Sequence, residues 1–261
     1  MDLKIRDKAA IVTGASRGIG RAIAEQLAIE GVRMLLVARD GAALAEAALE
    51  VSDRHKVAVA IHVADLSQPS AADVVVAAAI AALGSIDILA NCAGATKRGD
   101  FFSLTDDDWT NGYALKLHGS VRMCRAAWPH LEKRNGSIIN IVGIGSRTPS
   151  ADFSIGGSVN SALINFTKAL ADLGRKRGVR VNAINPGYIE TERLTRRIDG
   201  IVAEGKRSRD EAASELLQTL GISRFGRPDE IGRLVAFLAS PASEYIQGAT
   251  LDIDGGATRG I

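Results

Sequence analysis

Short apolar runs alternate with longer, alanine-rich amphipathic stretches along the whole chain, and that alternation admits few folds. The runs fall at 9–13, 34–38, 57–63, 86–90, 137–142, 180–184 and 250–253. Each is brief, continuous and apolar, as a parallel strand buried on both faces should be. Helical spacing is expected at 19–30, 42–54, 70–83, a long stretch ending near 134, 154–176 and 229–239. Repeated strand–helix units predict an α/β fold, a doubly wound parallel seven-stranded sheet with helices on both faces. Gly31, Gly84, Gly136 and Gly178 each sit between a helix and the next strand, where a left-handed cap is wanted. No repeat or low-complexity linker divides the chain, so a single dinucleotide-binding-type domain over 1–261 is expected. The segment 193–220 differs in character, being charged and weakly periodic. It reads either as a lid over a binding site or as a solvated helix pair.

The formal net charge of +2 arises from 32 basic and 30 acidic residues spread through the sequence, which gives no footprint for nucleic acid or a membrane surface. A small-molecule partner fits better. The apolar run 74–83 is too short to span a bilayer. Cys92 and Cys124 have neither paired nor metal-ligand spacing, so both are expected in the core, without a metal, in a reducing compartment. The opening residues 1–8 carry no apolar stretch or cleavage site of a signal peptide, and a cytoplasmic location is expected.

Directly after the first expected strand comes Thr13-Gly14-Ala15-Ser16-Arg17-Gly18-Ile19-Gly20, opening a helix. Strand, glycine-rich turn and helix in this order form the context in which such a triplet binds a dinucleotide and marks the fold as Rossmann-type. Gly14 permits the tight turn, Gly18 lets backbone approach a pyrophosphate at the helix N-terminus, and Gly20 allows close packing of helix on strand. The bland alternative is a tight turn alone. At the end of the second strand an acid would select NAD, whereas here stands Arg39, with Arg17 in the turn. Guanidinium groups bind phosphate bidentately, so NADP(H) is expected to be preferred over NAD, against the alternative that both arginines are merely solvated.

Asp65-Leu66 after the third run, Asn91-Cys92-Ala93-Gly94 after the fourth, and Asn185-Pro186-Gly187 through Thr191 after the sixth stand in order with the glycine-rich turn. Phe225 to Glu230 and Gln247-Gly248 through Gly256 extend the pattern. Together they resemble the short-chain dehydrogenase/reductase family along nearly the whole chain. The resemblance implies that Asp65 and Leu66 flank an adenine and that Asn91, Ala93 and Gly94 line the cofactor. It further implies that Pro186, Gly187, Ile189 and Thr191 reach the nicotinamide end. By fold analogy it also implies a homo-oligomer, tetramer or dimer. Cys92 departs mildly from the family's usual Asn.

The family's proton machinery is an Asn, a Ser, a Tyr and a Lys. Registering Ser161 to Lys168 on the corresponding helix puts Gly156 at the Tyr, Asn160 at the Lys, Gly143 at the Ser and Lys116 at the Asn. No Tyr occurs between Tyr113 and Tyr188, so sliding the register restores nothing. A positioned general acid contributes roughly 10²–10⁴-fold in rate. The expected activity is therefore an NADP(H)-binding oxidoreductase with an atypical active site, acting on an anionic or bulky carbonyl or enoyl substrate. Loss of side chains at Gly143 and Gly156 suggests an enlarged pocket, unless these glycines only form a turn before the helix. Lys116 is the best candidate for the proton, because desolvation can lower a lysine into the useful range, against a purely electrostatic lysine. Tyr188 is a second candidate, or an aromatic wall. Asn160 can hydrogen-bond a ribose hydroxyl. Lys97, Arg98 and Arg147 lie on loops at the expected carboxyl ends of strands and hint at an anionic substrate, unless they are solvated. Two other classes stay open: a non-catalytic nucleotide-binding or partner-interacting protein, and a lyase or isomerase on the same fold.

Overall fold

A computed structural model describes residues 2–205 and 208–260. The apolar runs become strands β1 Ala9–Thr13, β2 Arg33–Ala38, β3 Val59–Val63, β4 Ile88–Asn91, β5 Ser137–Ile141, β6 Arg180–Pro186 and β7 Thr250–Ile253. The described residues form one seven-stranded sheet in the order β3-β2-β1-β4-β5-β6-β7, every pairing parallel. The direction of winding reverses between β1 and β4, which opens a crevice beyond the carboxyl ends of those strands. Continuous burial holds for β1, β4 and β5. It fails at β3 and β7, which sit at the sheet edges and are only half-buried.

Alternate residues of each strand face opposite layers. Ala10, Val12, Met34 and Leu36 meet Ile23 and Leu27 of α1 (Gly18–Ile29), Leu44 and Val51 of α2 (Gly41–His55), and, from the C-terminal region, Ile231 and Val235 of Pro228–Ala239. Ala9, Ile11, Leu35 and Val37 meet Val75 and Ala79 of α3 (Ala71–Leu83) and, beyond it, Met123 and Leu131 of Ser120–Glu132. The long helix expected to end near 134 is three pieces: α4 (Asp106–Tyr113), a π-helical stretch Ala114–Gly119, and α5 (Ser120–Glu132). Thr105 starts α4 through a capping box with Asp108.

The remaining helices are α6 (Ser154–Arg177), α7 (Glu192–Glu204), α8 (Arg209–Leu220) and α9 (Pro228–Ala239). Leu194 and Ile198 of α7 pack on Ala212 and Leu216 of α8, forming a small core separate from the two sheet layers. Residues 206 and 207, inside the segment expected as a lid, lie outside the described residues. Gly31, Gly84 and Gly178 take the left-handed conformation. At the fourth expected cap Asn135 takes it instead, with φ 49°. Gly136 is needed for room, since a Cβ there would lie 2.8 Å from the Asp87 carbonyl oxygen. Among the described residues no helix is long and apolar enough to cross a membrane, and no group of His, Cys, Asp or Glu could hold a metal ion.

Candidate active site at the carboxyl ends of the strands

The nucleotide side of the crevice is built from backbone. Gly14 has φ +70° and its N–H donates to the Val37 carbonyl at 2.8 Å, folding the turn against β2. A Cβ on Gly14 would lie 3.0 Å from the Ala93 backbone, and one on Gly20 only 2.1 Å from the Gly14 carbonyl oxygen, so the turn and the β4 exit loop fit only without side chains. Gly18 has φ +57° and faces the Thr191 methyl group. No side chain caps the start of α1 and no acid occupies its first turn. Its free N–H groups, with those of Ser16 and Ile19 nearby in the chain, suit a phosphate.

Thr13 fixes the opposite wall: its hydroxyl accepts from the N–H groups of Cys92 and Ala93 at 3.0 and 3.1 Å. Sequence reasoning passed over it as the residue before the turn. Asn91 also turns out to be a strut. Its amide nitrogen donates inward, to Asn140 at 2.9 Å and to the Cys124 sulfur at 3.3 Å, while its Oδ1 is buried without a partner. Asp65 accepts from the Ser67 N–H and hydroxyl, and these bonds, with the charge of Arg39 as a smaller contributor, hold its carboxyl below the usual range. Leu66 beside it is buried.

The two arginines expected to meet a phosphate differ. Arg39, one residue past β2, is exposed and has no ion pair or hydrogen bond among the described residues. Arg17 is engaged, 3.0 Å from Glu192 at the start of α7. The phosphate argument therefore rests on Arg39.

The substrate side is built from side chains. Lys116 lies in the π-helical stretch, a local widening that recurs at functional sites. Its stem runs beneath Gly94, where a Cβ would lie 3.0 Å from the lysine Cδ, and its ammonium donates to the Val142 carbonyl just past β5. The residue is 9% exposed. Burial pushes its pKa down to about 7, the positive charge of Arg193 adding to the fall and Cys92 opposing it. Asn160, on α6, donates to the next carbonyl, Gly143, at 3.2 Å, while its own Oδ1 is buried without a partner. Gly143 has φ +139° and its N–H donates to Asn185 at 3.0 Å. Lys116, Gly143 and Asn160 thus converge on one pair of carbonyls at the carboxyl end of β5.

Gly156 does not open space. It lies within α6, and a Cβ on it would fall 2.0 Å from the ring of Phe153, which also crowds Gly145. The vacancy inferred from the sequence is filled by Phe153, so the enlarged pocket and the bulky substrate it implied lose their basis. Tyr188 also faces elsewhere: its ring packs with the α7–α8 core, the Arg197 guanidinium 5.5 Å from its centroid. That setting fits the aromatic wall among the two roles expected of it. Of the cations expected to await an anion, Lys97 is 2.8 Å from Asp108, Arg98 is 2.7 Å from Asp152, and Arg147 is 3.1 Å from Asp252. Pro186 and Gly187 continue β6 into the crevice rim, with the Gly187 N–H on the Ile253 carbonyl at 3.0 Å. Ile189 is buried and pairs with Gly226.

Cys92 and Cys124 are free thiols, both pushed up to about 12 by burial.

The profile of the family described as Enoyl-(Acyl carrier protein) reductase matches residues 14–258. The short-chain reductase protein NovJ of Streptomyces niveus is 33% identical over 257 residues, covering 96% of this chain and 94% of that protein. Among solved structures, L-sorbose reductase from Gluconobacter frateurii complexed with NADPH and L-sorbose is similar over 100% of both chains, with TM-score 0.96 and 32% identity. A second is the NADPH-bound short-chain oxidoreductase from Pseudomonas aeruginosa PAO1 containing an atypical catalytic center. It is similar over 98% of both chains, with TM-score 0.89 and 29% identity.

Proposed function

The chain belongs to the short-chain dehydrogenase/reductase family, and we propose that within it this protein is an NADP(H)-dependent reductase whose proton comes from Lys116 instead of a tyrosine. One observation carries the reading. Lys116 is buried, has no carboxylate partner among the described residues, and holds its ammonium at the carboxyl end of β5 beside Asn160.

The residues present fit the cofactor. The first turn of α1, from Gly18 onward, offers N–H groups that no side chain caps, just after the turn at Gly14. Buried, unpartnered Asn160 Oδ1 is an acceptor suited to a ribose hydroxyl. Exposed Arg39 is placed to hold a 2′-phosphate with its guanidinium fork. NADPH has been bound by the sorbose reductase and the Pseudomonas oxidoreductase above, which supports the same nucleotide here.

Reduced nicotinamide bound in the crevice would supply a hydride to an electrophilic carbon. Lys116 gives a proton from Nζ to the carbonyl oxygen, and the neutral amine then regains a proton from water. A lysine near neutrality is matched to that task. The Val142 carbonyl orients the ammonium, and Asn160 keeps the adjacent Gly143 carbonyl engaged so that it does not compete. Helices α7 and α8 stand over the crevice as a lid, with Glu192 tied to Arg17.

The test is calorimetric titration with NADPH and NADH, followed by NADPH oxidation with carbonyl and activated alkene substrates. Tight NADPH binding, weaker NADH binding and turnover that disappears in Lys116→Met would uphold the proposal. Failure to bind either nucleotide would overturn it. A second reading, nucleotide binding without catalysis, is favoured by the Phe153 ring in the space beside Gly156. NADPH binding with no turnover of any substrate would select it.

A further inference from the structure

Apart from Arg39 at the nucleotide end, charge around the mouth of the crevice is matched among the described residues except in one place. Lys97 has Asp108, Arg147 has Asp252, and Arg17 and Arg196 share Glu192. On the side of α7, a single carboxylate, Asp152, lies 2.7 Å from Arg98 and 3.8 Å from Arg197. Arg193 stands one turn before Arg197 on the same face of α7 and has no acid partner among the described residues. Two guanidinium groups therefore share one carboxylate, Arg193 adds a third positive charge from the same helix face, and the Arg197 Nε is buried without a hydrogen-bond partner.

Two of the arginines are held against aromatic rings. Arg98 lies over the Phe153 ring at 4.0 Å from its centroid, and Arg197 faces Tyr188 at 5.5 Å. Aromatic faces orient guanidinium planes and leave their N–H edges free for a carboxylate. Desolvation lowers the Arg193 pKa, with Arg98 and then Arg196 adding repulsion, and Arg193 in turn depresses Lys116. Burial opposes ionisation of Asp152, but the Ser150 hydroxyl and the charges of Arg98 and Arg197 keep its carboxyl below the usual range. Arg98 and Arg193 are exposed at the rim and Arg197 is half-buried, so an anion arriving from solvent can reach all three, and like charges outnumbering their one carboxylate favour it.

We propose that Arg98, Arg193 and Arg197 form a carboxylate-binding subsite, and that the substrate is an oxo carboxylic acid whose carboxylate is received there while its carbonyl oxygen reaches Lys116. The second half rests on the reductase reading; the subsite itself does not. Asp152 is the internal counter-charge that an incoming carboxylate joins or displaces. Phe153 and Tyr188 become supports of the subsite, which gives the ring beside Gly156 a purpose.

The first arm of the test needs neither cofactor nor turnover. The whole protein is titrated calorimetrically with glutarate, with its dimethyl ester as the neutral control. Glutarate should bind and the ester should not; Arg193→Met should weaken glutarate by about tenfold to a hundredfold. Arg196→Met, on the same helix but paired with Glu192, should leave binding unchanged. Equal binding of acid and ester, no binding of glutarate, or an unaffected Arg193→Met would overturn the subsite. Inorganic phosphate that binds more tightly than glutarate and loses that affinity in Arg193→Met would overturn the carboxylate assignment. The second arm compares NADPH oxidation by 2-oxobutanoate and acetoacetate with that by their methyl esters, in the wild type and Arg193→Met. Preference for the acids, lost in the variant, upholds the whole proposal. Arg193-dependent glutarate binding without reduction of any substrate keeps the subsite and sinks the reductase reading. Reduction of the esters and acids alike, indifferent to Arg193, keeps the reductase and sinks the subsite.

Discussion

The two halves of the crevice are made of different materials. Around β1 and β4 the walls are main chain: Gly14, Gly18 and Gly20 contribute the absence of side chains, and Thr13 pins the exit loop through N–H groups. Around β5 and β6 the working atoms are side-chain termini, Lys116 from a π-helical stretch, Asn160 from α6 and Arg193 from α7. A backbone site is set by local geometry and tolerates changes of neighbours. A side-chain site depends on several elements arriving together, and its charges respond to one another: Arg193 lowers the pKa of Lys116. The contrast predicts that substitutions on the substrate side alter rate and pH dependence while sparing the nucleotide. Those on the nucleotide side should do the reverse.

Lys116→Met should show the largest effect. Loss of a positioned acid should lower kcat/KM for carbonyl reduction by about 10²–10⁴-fold, with NADPH affinity little changed. Wild-type kcat/KM should be level below pH about 7 and fall tenfold per unit above it, because only the ammonium can donate. Stability should move the other way. The lysine pKa is about 7 in the folded chain against 10.5 for a free lysine side chain. Between those values the unfolded chain holds a proton that the native state has released, so stability rises with pH across that window. Below it both states are protonated and the full cost of the buried ammonium is present. Lys116→Met should therefore raise Tm at neutral pH and abolish that alkaline rise. A variant with reduced Tm and unchanged rate would remove Lys116 from the chemistry.

Gly20→Ala should invert the pattern. Its new Cβ would meet the Gly14 carbonyl oxygen at 2.1 Å, so the turn must shift. The overpacking should cost about 1–3 kcal/mol and weaken NADPH and NADH alike by more than about tenfold. The pH profile of whatever turnover remains should keep its midpoint. A displaced midpoint would mean that the halves are mechanically coupled.

The same division decides what could be read from the sequence. The sheet and the glycine turn were legible because they rest on local signals, apolar runs of strand length and glycines at fixed offsets between strand and helix. Lys116 and Asn160 could be placed by register, and the structure brings them to neighbouring carbonyls. Phe153 could not be foreseen in the space beside Gly156, because its ring is delivered by a short 3₁₀ turn that leaves no periodic signature. Arg193 looked like one arginine among many in a charged segment. Its distinction is that Arg197 stands four residues on, where Arg196 has an acid four residues back in Glu192. The structural bonds of the Asn91 side chain were hidden for a related reason. Its place after β4 was legible, but the direction of its amide depends on Asn140 across the sheet.

Arg39→Ala should separate the nucleotides. A charge-assisted hydrogen bond contributes about 1.5–3 kcal/mol, so NADPH affinity should fall by about tenfold or more while NADH affinity stays level. An equal loss for both would show that Arg39 acts on the adenine or through Asp65, whose carboxyl it helps to hold ionised.

Arg17→Ala should have the smallest effect, and that is what makes it informative. Arg17 and Arg39 are both arginines beside the nucleotide end, and sequence alone treats them as equals. The structure separates them by partner: Arg17 reaches Glu192 at 3.0 Å, with side chains 65% and 59% exposed. An exposed pair of this kind contributes about 0–1 kcal/mol, so its removal should change either nucleotide's affinity by less than about fivefold. Glu192 keeps Arg196 as a second partner, 3.7 Å away, so the start of α7 should stay in place. If NADPH instead loses as much affinity in Arg17→Ala as in Arg39→Ala, while NADH does not, Arg17 must leave Glu192 to meet the phosphate. Closure of α7 would then be released by the nucleotide itself, and the two halves of the crevice would communicate through Glu192.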